Sequence, residues 1–212
     1  WEFIQIYGLT ETAPLMTMTR CRSEWDDLAP SERASNLAAA GSPTIGMRVS
    51  VDAYGEVLAR GNHVLEGYWA QPEATAAAIV YGWFHTGDGG TVEGGVVTIS
   101  DRKKDVIISG GENVSSIEVE DAVVSHPEVA EVAVIGVPSD KWGETVMALV
   151  VRTDGSTLTE EALIAHTRQR LAGYKCPKTI EFREELVRTA TGKLQKFKLR
   201  APYWEGLDRQ VN

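Results

Sequence analysis

A hydroxyl-rich segment near the start of the chain has the residue types needed to hold phosphate oxygens. The segment Tyr7-Gly8-Leu9-Thr10-Glu11-Thr12 follows an apolar run and combines an aromatic ring, a glycine, hydroxyls and a carboxylate. A hydroxyl can donate to a phosphate oxygen, and a carboxylate is a preferred ligand of Mg²⁺. An ordinary strand-to-loop turn has the same composition. The segment therefore indicates either a phosphate and Mg²⁺ site or a plain turn.

A second acid, Asp88, closes the segment Gly82-Trp83-Phe84-His85-Thr86-Gly87-Asp88. A carboxylate held in a glycine-flanked turn can accept hydrogen bonds from two neighbouring hydroxyls, such as the 2′- and 3′-hydroxyls of a ribose. The alternative is a hairpin aspartate that accepts the amides of its own turn, which is common. The pattern predicts a turn at Asp88 in both cases.

A cluster of charges, Asp101-Arg102-Lys103-Lys104-Asp105, precedes the sequence Ser109-Gly110-Gly111-Glu112-Asn113. Charge runs usually form a solvated face. This one stands between an apolar strand pattern and a pair of glycines, which tolerate backbone conformations closed to other residues. We therefore expect a flexible joint between two lobes here, although a plain loop would also fit the glycines.

A lysine follows a glycine turn near the end of the chain, in Arg188-Thr189-Ala190-Thr191-Gly192-Lys193-Leu194-Gln195-Lys196. Such a lysine is normally exposed and inert, so the pattern alone does not assign it a role. The chain's four histidines form no recognisable pair of base and nucleophile, and we expect them to be structural.

In this order and spacing, the four motifs resemble those of the acyl-CoA synthetases of the adenylate-forming (ANL, AMP-binding) superfamily. The resemblance covers nearly the whole chain. It implies that Tyr7 and Gly8 lie in the nucleotide site, that Thr10 contacts the α-phosphate, and that Glu11 binds Mg²⁺. It also makes Asp88 the acid that binds the ribose hydroxyls.

The resemblance assigns the remaining motifs to two catalytic states of such an enzyme. Arg102 becomes a ribose or phosphate contact and Lys104 a hinge. Lys193 reaches the acyl carboxylate and the α-phosphate while the adenylate forms. Gly110 and Gly111 belong to a loop that admits the pantetheine arm of CoA during thioester formation.

Three further residues match positions at which relatives contact CoA. They are Trp142, Tyr174 and Lys175. Aromatic rings can stack on adenine and a lysine can pair with phosphates. Simple packing of aromatic side chains at a lobe surface is an equal alternative. The family resemblance as a whole implies ATP with Mg²⁺, CoA and a small carboxylic acid as substrates.

The chain departs from the family pattern in several places. Gly89 replaces the usual larger residue after the ribose-binding acid, Val187 replaces a proline, and Cys176 stands where some relatives carry a basic residue. The Ser/Thr/Gly-rich phosphate loop of the family has no counterpart here. We therefore expect the chain to be roughly the C-terminal two-fifths of an enzyme and to be inactive alone.

The predicted fold combines α/β and α+β parts. Residues 1–101 are expected to form the β-rich C-terminal part of a large N-terminal domain, because short β patterns alternate with glycines up to Ile99. Residues 102–105 form the hinge, and residues 106–212 form a small, mobile α+β domain. Two helices are predicted there, opened by Ser115-x-x-Glu118 and Thr157-x-x-Glu160, and the apolar runs at 132–136 and 146–151 predict buried strands. In the first part, residues 20–40 predict a loop followed by a short helix.

Bulk composition excludes several classes of protein. The 212 residues are 43% hydrophobic and carry a net charge of −9, with a pI near 5.0. Non-specific nucleic-acid binding is therefore not expected. No run of 18 apolar residues occurs, so no membrane span is expected. Two distant cysteines favour a reducing compartment, and we expect a cytoplasmic protein. The oligomeric state stays open.

Two other functions remain open from the sequence. One is an adenylating enzyme that loads the phosphopantetheine of a carrier protein, and the other is a non-catalytic remnant that binds a nucleotide or a partner. The segment from Ser23 to Gly41 is similar to that of short- or medium-chain fatty acyl-CoA synthetases, which favours a fatty acid as the substrate.

Overall fold

The computed structural model describes residues 2–207, which form two compact units that divide between Arg102 and Lys103. The division falls within the predicted hinge segment. Each unit is built around its own hydrophobic core, so each is described by itself. None of the helices described is long and apolar enough to cross a membrane.

The first unit opens with a small antiparallel sheet in the order β1-β2-β3. Its strands are β1 (Ile4–Tyr7), β2 (Thr17–Arg20) and β3 (Ser42–Pro43). A 3-10 turn at Thr10–Thr12 connects the first two strands, and Tyr7 lies opposite Thr17. Between β2 and β3 come a 3-10 turn at Ser23–Trp25 and the helix α1 (Pro30–Ala38). This agrees with the loop and short helix predicted for residues 20–40.

A five-stranded antiparallel sheet completes the first unit. It contains β4 (Met47–Val51), β5 (Glu56–Gly61), β6 (Ile79–Val80), β7 (Trp83–Glu93) and β8 (Val96–Arg102). Their order is β4-β5-β7-β6, and β8 pairs with β7. Apolar side chains from the strands form the core, including Met47, Val57, Ala59 and Phe84, together with Met16 from just before β2. The sequence patterns did not predict the alanine-rich helix α2 (Pro72–Ala78).

The second unit is an α+β domain with one mixed sheet in the order β10-β9-β12-β11. Its strands are β9 (Ile107–Ser109), β10 (Glu112–Val114), β11 (Val129–Ser139), β12 (Gly143–Arg152) and β13 (Thr179–Arg183). β13 runs parallel to β12. The helices are α3 (Ser116–Val124), α4 (Glu160–Arg168) and α5 (Lys196–Arg200), followed by a 3-10 turn at Ala201–Tyr203.

Both faces of this sheet are covered. Val119, Val123 and Leu163 bring α3 and α4 into one core cluster, and Leu199 of α5 joins the other. Ser115 is the N-cap of α3, because its side chain accepts the amide of Glu118. The predicted start of α4 at Thr157 is wrong. Thr159 is the N-cap, and its hydroxyl accepts the amide of Ala162 instead.

Candidate functional site

Asp88 is the centre of the candidate site in the first unit. Its side chain is buried, and its residue is only 6% exposed. The Tyr7 hydroxyl donates to Asp88 Oδ2 at 2.8 Å. The Nε of Arg102 lies 3.5 Å from Asp88 Oδ1. The structure thus brings together three residues that the sequence assigned to one nucleotide site, from positions 7, 88 and 102.

Asp88 lies inside a strand, so the predicted turn at Thr86-Gly87-Asp88 is wrong. β7 continues through these residues to Glu93, and its pairing with β5 and with β8 shifts register near Asp88. Gly87 has φ +75°, a left-handed conformation that glycine adopts without strain. The irregular pairing changes the local twist of β7, and this twist sets the direction of the Asp88 side chain.

Buried polar side chains fix this irregular segment. The Thr86 hydroxyl donates to the carbonyl of Val57 at 2.7 Å and accepts the Asp88 amide at 3.1 Å. Glu56 Oε1 accepts the Gly87 amide at 2.9 Å, and its other oxygen lies 3.0 Å from Nδ1 of His85. Glu56 thus satisfies an amide that the irregular strand pairing leaves open.

Tyr7 is a hydrogen-bond donor in this site. Burial raises the pKa of its phenol, and the nearby negative charge of Asp88 raises it further. The phenol therefore stays protonated at neutral pH and donates to the carboxylate. Arg102 is exposed and partly balances the charge of Asp88 from the solvent side.

Gly8 has a steric reason to be glycine. A Cβ on this residue would stand 1.7 Å from the carbonyl oxygen of Pro14, a distance that no side chain tolerates. The close approach folds the Thr10–Thr12 turn back on the strand end. Thr10 is exposed, and Glu11 is half-buried with Oε1 accepting the Tyr68 hydroxyl at 3.1 Å. Glu11 is therefore oriented and still reachable from solvent.

In the second unit, Gly110 packs against the indole of Trp142. The Gly110 amide donates to the Trp142 carbonyl at 2.9 Å. A Cβ on Gly110, whose φ is +62°, would lie 2.7 Å from Cε3 of that ring. Gly111 has φ +86° and no atom near its missing Cβ. The ring is 44% exposed, and Lys141 Nζ lies 4.5 Å from its centroid.

Tyr174 and Lys175 form a separate group on the second unit. Tyr174 is 44% exposed, and Lys175 Nζ contacts both oxygens of Glu118 at 2.7 Å. This contact raises the pKa of Lys175. The predicted phosphate contact of Lys175 therefore competes with an existing ion pair.

Lys193 is exposed on a tight loop. The Thr189 hydroxyl accepts the Lys193 amide at 3.1 Å, and the Thr189 amide donates to the Lys193 carbonyl at 2.8 Å. Gly192 has φ +85°. Arg188 braces the loop, because it donates to the Gly192 carbonyl and pairs with Glu131 at 2.7 Å. Hydrogen bonds thus hold the backbone of this loop, and Lys193 is exposed on it.

Lys104, the predicted hinge residue, is exposed near the start of the second unit. Its carbonyl accepts a hydrogen bond from Arg200 at 3.2 Å. The same guanidinium lies 3.3 Å from Asp105 Oδ1. Arg200 thus anchors the residues that follow Arg102 to the C-terminal helix of the second unit.

Sequence reasoning missed Glu56 and Tyr68, which support Asp88 and Glu11. Both contacts span long stretches of chain, and neither residue belongs to a motif. Glu56, His85 and Asp52 also lie close enough to form a metal-ligand group within the described part of the chain. Asp52 Oδ1, however, accepts the amides of Tyr54 and Glu56 at 2.8 Å, which is a turn-forming role.

Known CoA ligases and synthetases are similar to this chain over nearly its whole length. Residues 118–193 match the model of the AMP-binding enzyme C-terminal domain. The chain is 43% identical to 2-methylpropanoate–CoA ligase of Humulus lupulus and 42% identical to feruloyl-CoA synthase of Amycolatopsis sp.. The alignments cover 92% and 93% of this chain, but only 38% and 41% of those relatives.

A solved structure shows the same likeness. The o-succinylbenzoate CoA synthetase of Bacillus subtilis, in complex with its acyl-adenylate intermediate, is 31% identical with a TM-score of 0.81. The match covers 94% of this chain and 41% of that one. The chain thus spans about two-fifths of the length of the proteins that it matches.

Proposed function

We propose that the protein carrying this chain, which matches the C-terminal portion of adenylate-forming CoA ligases, activates a carboxylic acid with ATP and passes the acyl group to CoA. The first step forms an acyl-adenylate and pyrophosphate. In the second step the CoA thiol attacks the acyl carbon, a thioester forms, and AMP leaves.

The buried Asp88 is the observation that carries this proposal. Its two oxygens contact Tyr7 and Arg102, and each carboxylate oxygen can accept a second hydrogen bond. Two acceptor directions on one rigid carboxylate match the two hydroxyls of a ribose. A purely structural aspartate in a strand would have little reason to keep an arginine and a protonated tyrosine on opposite oxygens.

Glu11 and Thr10 serve the phosphates in this proposal. Glu11 is held by Tyr68 and keeps a half-buried carboxylate at the solvent boundary, as a ligand of Mg²⁺ requires. Thr10 is exposed next to it and offers a hydroxyl to the α-phosphate. These donor types fit a nucleotide with its divalent cation, and the Mg²⁺ supplies charge neutralisation at the phosphates.

The second unit provides one group for each half-reaction. Lys193 is presented on its braced loop, and its ammonium offsets negative charge while the adenylate forms. Gly110, Gly111 and Trp142 present a surface with no side chain at the glycines, suited to a narrow pantetheine arm. Tyr174 and Lys175 extend the CoA contacts, with Lys175 leaving Glu118 for a phosphate.

If Lys193 and the Gly110-Gly111 loop are to reach the substrate in turn, the second unit must rotate about a hinge. We propose residues 102–105 as this hinge, with Lys104 as the pivot. Residues 1–101 would then belong to the large domain and residues 106–212 to the mobile one. The compact units on either side of Arg102 support this assignment, since each has its own core. Rotation between two states would bring first Lys193 and then the glycine loop to the substrate.

The acyl substrate proposed is a short- or medium-chain fatty acid, and the reaction is placed in the cytoplasm. The substrate assignment rests on the segment from Ser23 to Gly41, which includes the exposed helix α1. The relatives named above take 2-methylpropanoate, ferulate and o-succinylbenzoate, so branched and aromatic acids are the alternatives to compare.

The test is acid-dependent exchange of pyrophosphate into ATP by the full-length protein, with butyrate, octanoate, 2-methylpropanoate and ferulate compared. The expected result is exchange with at least one acid and thioester formation on addition of CoA. The isolated 212-residue chain is expected to show no exchange. If the thioester forms on the phosphopantetheine of a holo-carrier protein but not on CoA, then the carrier protein is the acyl acceptor. An absence of exchange with every acid, by a folded full-length protein, would favour the non-catalytic remnant.

A further inference from the structure

An open cavity of about 240 Å³ lies in the first unit, away from the motifs discussed so far. It is formed by β2, the Ser23–Trp25 turn, α1 and β3. Its lining includes Met18, Arg22, Trp25, Asn36 and Val96. Trp25 and Asn36 belong to the segment from Ser23 to Gly41, on which the acyl-substrate assignment rests, but none of these five residues contacts a reactant in the proposed reaction.

The cavity carries positive charge in an acidic protein. The whole chain has 30 acidic and 21 basic residues, yet the lining holds Arg20 and Arg22 and no aspartate or glutamate. Arg20 is occupied, because its guanidinium binds both oxygens of Glu2 at 2.9 Å. Arg22 forms no ion pair with any residue among 2–207. Its charge is therefore available to a ligand.

Arg22 is also oriented by an aromatic ring. Its guanidinium carbon lies 5.5 Å from the centroid of the Trp25 indole, within the range of a cation–π contact. A guanidinium lying over a ring keeps its N–H groups at the edge of its plane, where they can bind a carboxylate in bidentate fashion. The indole contributes a flat apolar wall beside that charge.

The backbone beneath the cavity is fixed. Gly41 has φ +94°, and a Cβ there would lie 2.1 Å from the Met18 carbonyl oxygen. Gly41 exchanges two hydrogen bonds with Val97, at 3.1 and 2.8 Å. Because this contact ties the segment before β3 to β8, the cavity has a preformed floor.

The cavity is distinct from the Asp88 site. It touches β8 at its first residue, Val96, whereas Arg102 at the last residue faces Asp88. At about 3.3 Å per residue, these strand ends are roughly 20 Å apart. In the β1–β2 hairpin, Arg20 likewise lies opposite Ile4, at the end away from Tyr7.

We propose that this cavity binds a small monocarboxylate with a flat apolar body, of which benzoate is the probe. Arg22 binds the carboxylate, the Trp25 ring and Met18 cover the flat body, and the Asn36 amide lies within the same lining. A cavity of this size accepts a compact ligand but not a nucleotide. The site does not depend on the proposed ligase reaction.

The test is a titration of ¹⁵N-labelled chain with benzoate, followed by NMR at the indole N–H of Trp25, which Trp25→Phe assigns. We expect saturable shifts with a dissociation constant on the order of 1 mM. Arg22→Gln should weaken binding at least about tenfold, while Arg48→Gln, at an exposed arginine of β4, leaves it unchanged. Benzamide, which has the same shape without the charge, should bind at least about tenfold more weakly.

Two outcomes would overturn this site. Unchanged benzoate affinity in Arg22→Gln, with an otherwise native spectrum, would remove the role of the guanidinium. Equal shifts with inorganic phosphate would show a general anion surface without selection for an apolar body. If Arg22→Gln disturbs the wider spectrum, the benzamide comparison on the unmodified chain decides between the outcomes.

Discussion

The Tyr7 hydroxyl and the Asp88 carboxylate form a 2.8 Å hydrogen bond across 81 residues of sequence. The contact joins the end of β1 to the irregular middle of β7, so it links the two sheets of the first unit. Hydrogen bonds to charged groups stabilise by about 1.5–3 kcal/mol when buried. Tyr7 therefore sets where the Asp88 oxygens point as well as contributing to the fold.

Tyr7→Phe should weaken ATP binding without removing the ribose-binding acid. The variant keeps the aromatic ring but leaves Asp88 without one of its donors. We expect the KM for ATP in pyrophosphate exchange by the full-length protein to rise about tenfold, equivalent to about 1.4 kcal/mol. Tyr54→Phe removes a hydroxyl from a tyrosine that is 88% exposed, and it should change nothing. Equal KM values for Tyr7→Phe and wild type would contradict this role.

Local patterns account for much of what the sequence predicted correctly. The N-cap at Ser115 and the short helix before β3 depend on neighbours within a few residues. The buried strands β11 and β12 follow from apolar runs long enough to be recognised. Such features are encoded by propensity and capping, which short segments express on their own.

The wrong turn at Asp88 and the missed support of Glu11 arose where distant contacts decide the structure. Thr86-Gly87-Asp88 has the composition of a turn, but pairing with β5 and β8 and the acceptor from Glu56 keep it within a strand. The support of Glu11 by Tyr68 joins residues 57 positions apart. No motif marks such partners, because their position is set by tertiary packing and not by local spacing.

Glu56 should be a main source of stability in the first unit. Glu56→Ala leaves the half-buried Gly87 amide without its acceptor and His85 without its partner. We expect a loss of about 2–3 kcal/mol in the free energy of unfolding, or roughly 10–20 °C in the thermal midpoint. Glu66→Ala, at an exposed acid, should shift the midpoint by no more than about 4 °C. Similar midpoints for both variants would refute the bracing role.

The stability of the second unit should fall as the pH drops below about 6.5, through His166. Burial lowers the pKa of His166 from its ordinary 6.5, and the nearby Arg170 and His126 lower it further. Between the folded and unfolded pKa values the unfolded chain binds more protons, so stability rises with pH in that window and is lost on acidification.

The measurement is the urea midpoint of the chain at pH 5.5 and at pH 7.5. Wild type should lose stability at the lower pH, and His166→Gln should lose less because that group no longer titrates. Arg170→Gln should give an intermediate loss, since it removes one of the charges that lower the His166 pKa. If His166→Gln loses as much stability as wild type between pH 7.5 and pH 5.5, then a group other than His166 takes up the proton.

Lys193→Ala and Gly110→Leu should separate the two half-reactions in the full-length protein. Removal of the Lys193 ammonium should slow adenylate formation about 100-fold or more, because it removes charge stabilisation in that step alone. A leucine at Gly110 is forced against Trp142, where even a Cβ would lie 2.7 Å from the ring. Thioester formation from supplied acyl-adenylate should then fall about 100-fold through misplacement of the loop.

Matched variants separate these effects from general damage to the fold. Lys198→Ala removes another exposed lysine of the second unit, and Gly155→Leu places the same side chain on a glycine with φ +74° and open space around it. Both should leave the ratio of the two half-reactions unchanged, although Gly155→Leu lowers stability through backbone strain. If Lys193→Ala and Gly110→Leu instead reduce both half-reactions equally while remaining folded, then Lys193 and the glycine loop do not alternate at one centre. The assignment of Lys104 as a pivot would then have no support.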